Sequence, residues 1–217
     1  MRMKIRRIWM SLSGVLLGAV SVGVFKVAAL GVDPFQSLMS GLDAMIPISF
    51  GTLYVIVNLI LLTFSLVVDR SKIGLATFIN LFLLGYVTEF SYAFFQTVIV
   101  EPTLVVRVLC MLAGAVVMCF GSALYMTADL GVSTYDAVAI ALAYKWKLAP
   151  FRLCRILTDL VCVVAGCGIF LAAGGEWAGI QAVAGVGTLL CAFGMGPLIS
   201  FFNEKAARPM LYGRKGE

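Results

Sequence analysis

Two strongly polar side chains sit where an apolar chain can least tolerate them. Asn58 lies near the middle of the apolar stretch 50–68, and Asp159 near the middle of the stretch 152–173. A charge at that depth costs about 2.5–3.5 kcal/mol on insertion scales, so its placement needs a reason. One reason is contact with a polar solute or a coupling ion. The other is local pairing, because Arg155 stands four residues before Asp159 and shares its helix face. The two are compatible if the ion pair opens during a working cycle. Thr77, with Asn80 one turn on, and Thr188 stand in two further apolar stretches. Hydroxyls there either bond helices together or line a polar path. Glu89 lies toward the far end of the stretch 73–95, as an interfacial group or as a gating or proton-carrying one.

The sharpest motif occurs twice, as VAALGVDPF at 27–35 and TADLGVSTY at 127–135. Gly31 and Gly131 suit a left-handed helix stop. Asp33 and Ser133 then stand as N-caps, and Pro34 suits a first helical turn. Each motif is a stop followed by a start. Structurally this is a corner. Functionally it is a re-entrant helix whose positive N-terminal end faces a cavity and attracts an anionic group. Asp129 and Asp136 flank one copy, and Gln36 corresponds to Asp136 in the other. Other chemistry is thin. Cys110, Cys119, Cys154, Cys162, Cys167 and Cys191 all lie in apolar stretches without a CxxC pair, and the chain has no histidine. A zinc site of the usual kind and any His-based catalytic group are therefore not expected, and the cysteines are read as packing residues. No cofactor, no metal and no enzymatic activity are expected.

The elements that hold these residues follow from composition. The chain has 217 residues, 62% hydrophobic and 12% charged, with mean hydropathy +1.05. Soluble domains carry roughly a quarter charged residues. A water-soluble globule, a disordered chain, a coiled coil and a disulfide-stapled secreted domain are all excluded. The fold class is an all-α polytopic integral membrane protein, one transmembrane domain over 1–217, with the lipid bilayer as its first partner. The net charge of +5 sets orientation in such a chain and does not point to nucleic acid.

A span needs about 20 apolar residues. Six segments qualify, at 8–30, 50–68, 73–95, 103–127, 152–173 and 179–202. The stretches 34–47 and 134–146 are too short to cross and are expected to be re-entrant or interfacial helices. With six spans and the N-terminus inside, Arg2, Lys4, Arg6, Arg7, Arg70, Lys72, Lys145, Lys147, Arg152, Arg155, Lys205, Arg208, Arg214 and Lys215 fall on the inner side, 14 of 16 basic residues. Lys26 and Arg107 fall outside, near span ends where long side chains snorkel. Eight spans would move Arg70 and Lys72 outside, so the charge pattern favours six.

The chain is also internally duplicated. At an offset of 100, Leu12, Gly14, Ala28, Leu30, Gly31 and Val32 recur as Leu112, Gly114, Ala128, Leu130, Gly131 and Val132. At 101, Phe50 meets Phe151 and Asn58 meets Asp159. At 111, Gly74, Thr77, Phe82, Gly85 and Phe90 recur as Gly185, Thr188, Phe193, Gly196 and Phe201. The order is collinear, with repeat 1 at about 8–96, repeat 2 at about 103–203 and a basic cytoplasmic tail at 203–217. Three spans per repeat is an odd number, so the second copy inserts upside down, as an inverted-topology repeat. The duplication also argues against reading MRMKIRR and the Val-Ala-Ala at 27–29 as a cleaved signal peptide. Gly14 and Gly18 form a GxxxG pair suited to close helix packing.

The paired LGV-[D/S]-[P/T]-[F/Y] and G-x-x-T-x(7)-G segments resemble the YczE/YitT-like family of bacterial inner-membrane proteins over roughly 10–203. The resemblance implies a protein of the bacterial cytoplasmic membrane, with transport as a surmise, and supplies no substrate or site residue; the charge count places both termini on the cytoplasmic side. From the inverted repeat and the matched pair Asn58 and Asp159, the expected function is a secondary transporter or facilitator for a small polar solute. The alternatives are the substrate-binding subunit of a multi-component vitamin importer, which does not characteristically show such a repeat, and a non-transporting accessory or regulatory protein docking through 128–151 or the tail. A homodimer is one candidate assembly, since six short spans enclose little protected volume.

Overall fold

The computed structural model describes residues 2–70 and 73–213, so Lys72, Arg214 and Lys215, counted above among the inner cations, lie outside the described residues, as do the side chains of Arg2 and Arg152. The described chain is all-helical, and six of its helical segments are long and apolar enough to cross a membrane. In order its α-helices are α1 (Arg2–Ala28), the short α2 (Pro34–Met45), α3 (Phe50–Val68), α4 (Leu75–Val98), α5 (Leu104–Ala128), the short α6 (Thr134–Ile140), α7 (Phe151–Ala172), α8 (Ile180–Val183), α9 (Val186–Phe202) and α10 (Arg208–Tyr212). The last turn of α6 widens into a π-helix over Ala141–Lys145.

Two expected boundaries move. Helix α1 starts well before the apolar stretch, because Lys4, Arg6 and Arg7 are good helix formers that extend it beyond its buried part. The sixth segment breaks at Ala184 and Gly185, dividing the expected single helix into α8 and α9. The reason is a contact from the other half of the chain. The carbonyl of Leu30 accepts from the Gly187 N–H at 2.7 Å. A Cβ at Gly185 would lie 2.4 Å from that same carbonyl oxygen, so only glycine fits.

The centre of the bundle is an antiparallel crossing of α1 and α5. A Cβ at Gly14 would stand 2.6 Å from the Gly121 carbonyl oxygen, and one at Gly114 would stand 2.7 Å from the Phe25 ring. Backbones therefore touch, as small residues in membrane helices allow. Helix α4 packs on α1, where Thr88 donates to the Ala19 carbonyl at 3.2 Å. Helix α9 packs on α5, and α3 packs on α4. The short helices cross over: α2 lies against α7 and α6 against α3.

The two stop–start motifs form corners of the same shape. Ala29 and Asp129 have φ of 50° and 51°, and Gly31 and Gly131 have φ of 105° and 116°. The second pair needs glycine twice over. A Cβ at Gly31 would meet the Gly185 nitrogen at 2.5 Å, and one at Gly131 the Gly74 nitrogen at 2.6 Å. Each corner grips the start of the other half's last long helix: Gly187 N–H donates to Leu30 and Ala76 N–H to Leu130, at 2.7 and 3.0 Å. Two arginines related by the offset of 100, Arg7 and Arg107, finish the grip. Arg107 donates to the carbonyls of Ala28 and Ala29, and Arg7 to that of Ala128 at 3.4 Å. Both satisfy carbonyls that a helix end leaves unpaired and complement its dipole.

Candidate functional site

The first turns of α2 and α6 meet. Phe35 and Tyr135, equivalent positions of the two motifs, stack with ring centroids 4.9 Å apart at 24°. Asp33 caps α2 by accepting from the Gln36 N–H at 3.2 Å, and Ser133 caps α6 by accepting from the Asp136 N–H at 3.0 Å. The helix starts expected to attract an anionic group are thus occupied by the chain's own oxygens.

Around this junction the charged residues gather on one side. Arg155, on α7, pairs with Asp136 on α6 and with Asp159 one turn further along α7, the latter at 3.3 Å. Its guanidinium lies 4.6 Å from the centre of the Tyr135 ring, as a cation over a π face. The Tyr135 hydroxyl donates to Asp159 at 2.6 Å, and Ser133 donates to Asp136 at 2.7 Å. Enclosure away from water pushes the nearby Asp33 carboxyl up to about 6, against the opposing pull of the Gln36 N–H and of Arg155. One guanidinium therefore faces three carboxyl groups.

The other side of the junction is neutral. Tyr54 of α3 donates its hydroxyl to Asn80 of α4 at 3.0 Å. The Asn58 amide donates to the Tyr54 carbonyl at 2.8 Å, and Thr134 of α6 donates to the Asn58 side-chain oxygen. Phe35 meets the Tyr54 ring edge-on at 5.9 Å. These residues correspond in the duplication. Tyr54 and Asn58 align with Arg155 and Asp159 at an offset of 101, and Gln36 aligns with Asp136 at 100. The neutral pair Tyr54 and Asn58 and its charged counterpart Arg155 and Asp159 thus lie on either side of the stacked rings.

Of the residues singled out above, Asn58, Asn80, Arg155, Asp159, Asp136, Ser133, Asp33 and Pro34 converge here. Thr77 and Thr188 do not. Each accepts from the N–H at its helix start, Gly74 at 3.2 Å and Gly185 at 3.3 Å, and Thr77 also donates to Val132 at 2.6 Å, beside the Gly131 corner. Glu89 lies elsewhere, accepting from the Gly51 N–H at 2.9 Å to cap α3. Two corrections concern the cations expected to snorkel outward. Lys26 turns inward, 3.6 Å from Asp43 and 3.5 Å over the Phe50 ring, because the last turn of α2 and the first turn of α3 place both partners beside it. Arg107 is held by the carbonyls that end α1.

Tyr54, Thr134 and Tyr135 were not legible as site residues. Aromatic and hydroxyl groups in apolar stretches read as packing. The available signal was the duplication itself, since Tyr54 is the counterpart of Arg155.

Residues 5–204 match a family described as a family of unknown function, DUF6198. The chain is similar to an uncharacterized protein of Haemophilus influenzae, 26% identical over 205 residues that cover 89% of this chain and 84% of that protein. It is also similar to the uncharacterized protein YyaS of Bacillus subtilis, 24% identical over 127 residues that cover 58% of this chain and 63% of that one. No solved structure matches the chain.

Proposed function

The chain belongs to the DUF6198 family of unknown function, and from that premise we propose that it is a secondary transporter or facilitator. It moves a small polar solute across the bacterial cytoplasmic membrane by alternating access between two inverted three-span halves. The observation that carries this reading is the pair of corresponding polar groups on either side of the stacked rings, Tyr54 and Asn58 on one side and Arg155 and Asp159, with Asp136, on the other. A polar junction where two halves of a membrane protein meet, built by discontinuous helices, is the usual form of a transporter site. The exchange of short helices and corner contacts between halves supports it, because motion of one half must be felt by the other. In this reading both termini are cytoplasmic, and the basic residues at the ends of α1, α3, α6 and α7 face the cytoplasm. The motif likeness to the YczE/YitT-like proteins agrees with it.

The test is a thermal-shift screen of the purified protein against a metabolite library. A ligand that binds the folded form raises its melting temperature by mass action. The expected result is a solute that stabilises the wild type and fails to stabilise Asp159→Asn. A solute that stabilises both equally would remove the site assignment.

A further inference from the structure

The halves of this molecule correspond residue by residue, yet they are not packed alike. In the first half α3 and α4 are zipped together. A Cβ at Gly85 would lie 2.6 Å from the Tyr54 Cβ and 3.1 Å from the Gly51 Cα. The bonds from Tyr54 to Asn80 and from Gly51 to Glu89 close the same seam. In the second half the counterparts α7 and α9 make no such interface among the described residues. Gly196, the counterpart of Gly85, has nothing within 4 Å of a Cβ built on it. Arg155, the counterpart of Tyr54, is turned toward Asp136 and Asp159 instead.

Exposure follows the seams. The neutral residues behind the closed seam are sealed: Tyr54 and Asn58 are 3 and 1% exposed. The side chains of the charged triad, beside the open seam, reach solvent or lipid: Asp136, Arg155 and Asp159 are 38, 34 and 19% exposed.

Helix α9 also carries what a moving wall needs. Glycine and proline in a helix interior weaken it, and a proline removes one backbone bond. Here Gly194, Gly196 and Pro197 fall within four residues, and Gly194 meets only Leu190 of its own helix. The aligned positions of α4 are Leu83, Gly85 and Tyr86, so only one of the three is shared. Glycine at 196 has no packing role in the arrangement seen here, although its counterpart at 85 has one.

We propose that the α7–α9 seam is a gate, captured open, and that α9 bends at Gly194–Pro197 to bring Gly196 onto α7 as Gly85 meets α3. This rests on the transport reading above. With the N-terminus cytoplasmic, the open seam faces the cytoplasm, the closed α3–α4 seam faces outward, and the structure is the inward-open state. Closing one seam while opening the other is the exchange that two inverted halves permit.

The test uses paired cysteines at Arg152 and Gly196, the counterparts of Gly51 and Gly85. In a closed seam that pair falls within disulfide reach. In a background with the six native cysteines replaced by alanine, and in membranes treated with an oxidant, the R152C/G196C double variant is expected to form an intramolecular disulfide that neither single variant forms. Absence of that disulfide, while maleimide labels the introduced cysteine of each single variant, would overturn the gate. A second variant, Gly196→Trp, has free space for its side chain, so it is expected to keep the wild-type melting temperature. Wedging the seam open, it is also expected to abolish efflux of a defined metabolite mixture from proteoliposomes, and unchanged efflux would count against the gate. The two readings separate cleanly. Wild-type efflux without cross-linking removes the gate and leaves transport, whereas cross-linking without any wild-type efflux leaves a moving seam and removes transport.

Discussion

Arg155 is the residue on which the charged triad turns. It neutralises Asp136 and Asp159 at once, and its removal leaves two carboxylates facing each other. Breaking a sealed pair costs about 3–5 kcal/mol. Arg155 is one-third exposed, so Arg155→Gln is expected to cost less, about 1–2 kcal/mol. The expected outcome is a lower denaturation midpoint in detergent, partly restored by adding Asp136→Asn. Asp33 gives a prediction in pH. Its folded-state carboxyl, pushed up to about 6, lies above its ordinary value, so the folded protein holds a proton there that the unfolded chain has released. That contribution to stability is complete below the ordinary carboxylate range and is lost as pH rises through about 6. Asp33→Asn keeps the cap and removes the proton, so the variant is expected to lose this part of the pH dependence of its melting temperature. Asn58, Arg155 and Asp159 were legible in the sequence because a polar group in an apolar stretch is conspicuous. Tyr54 and Tyr135 were not, because an aromatic ring there is ordinary and only its hydroxyl partner makes it polar.

The helices were legible nearly in full, since an apolar run of span length has few other folds in lipid. What escaped was how they end. The break before α9 comes from the Leu30 carbonyl, a contact made by a residue more than a hundred positions away. The GxxxG pair of α1 marks a real close approach at Gly14, where the Gly121 backbone touches it. Gly14→Leu would drive its side chain into the Gly121 carbonyl and the Tyr125 backbone, and is expected to cost about 3 kcal/mol or more, read as loss of folded protein after detergent extraction. Gly196→Leu, at a position with free space, is expected to leave the folded yield unchanged. Arg107→Gln should lower stability by about 1 kcal/mol, because the α1 carbonyls lose their charged donor.

At the scale of the molecule, the duplication shows which residues correspond and cannot show which ones touch. The sequence aligns Leu30 with Leu130, but not that each reaches across to the last long helix of the opposite half. Nor does it say that corresponding seams differ, because both are written in the same apolar residues. Those two facts come from the structure alone: the halves hold each other, and their corresponding helices are packed differently. The central claim is that the junction around Asp159 is where a solute passes. Its most direct measurement is efflux from proteoliposomes loaded with a defined metabolite mixture, wild type against Asp159→Asn, with the insides analysed by mass spectrometry. The expected result is selective loss of one solute class through the wild type and its retention by Asp159→Asn at equal protein incorporation. Retention of every solute by the wild type, or equal loss through both proteins, would contradict it.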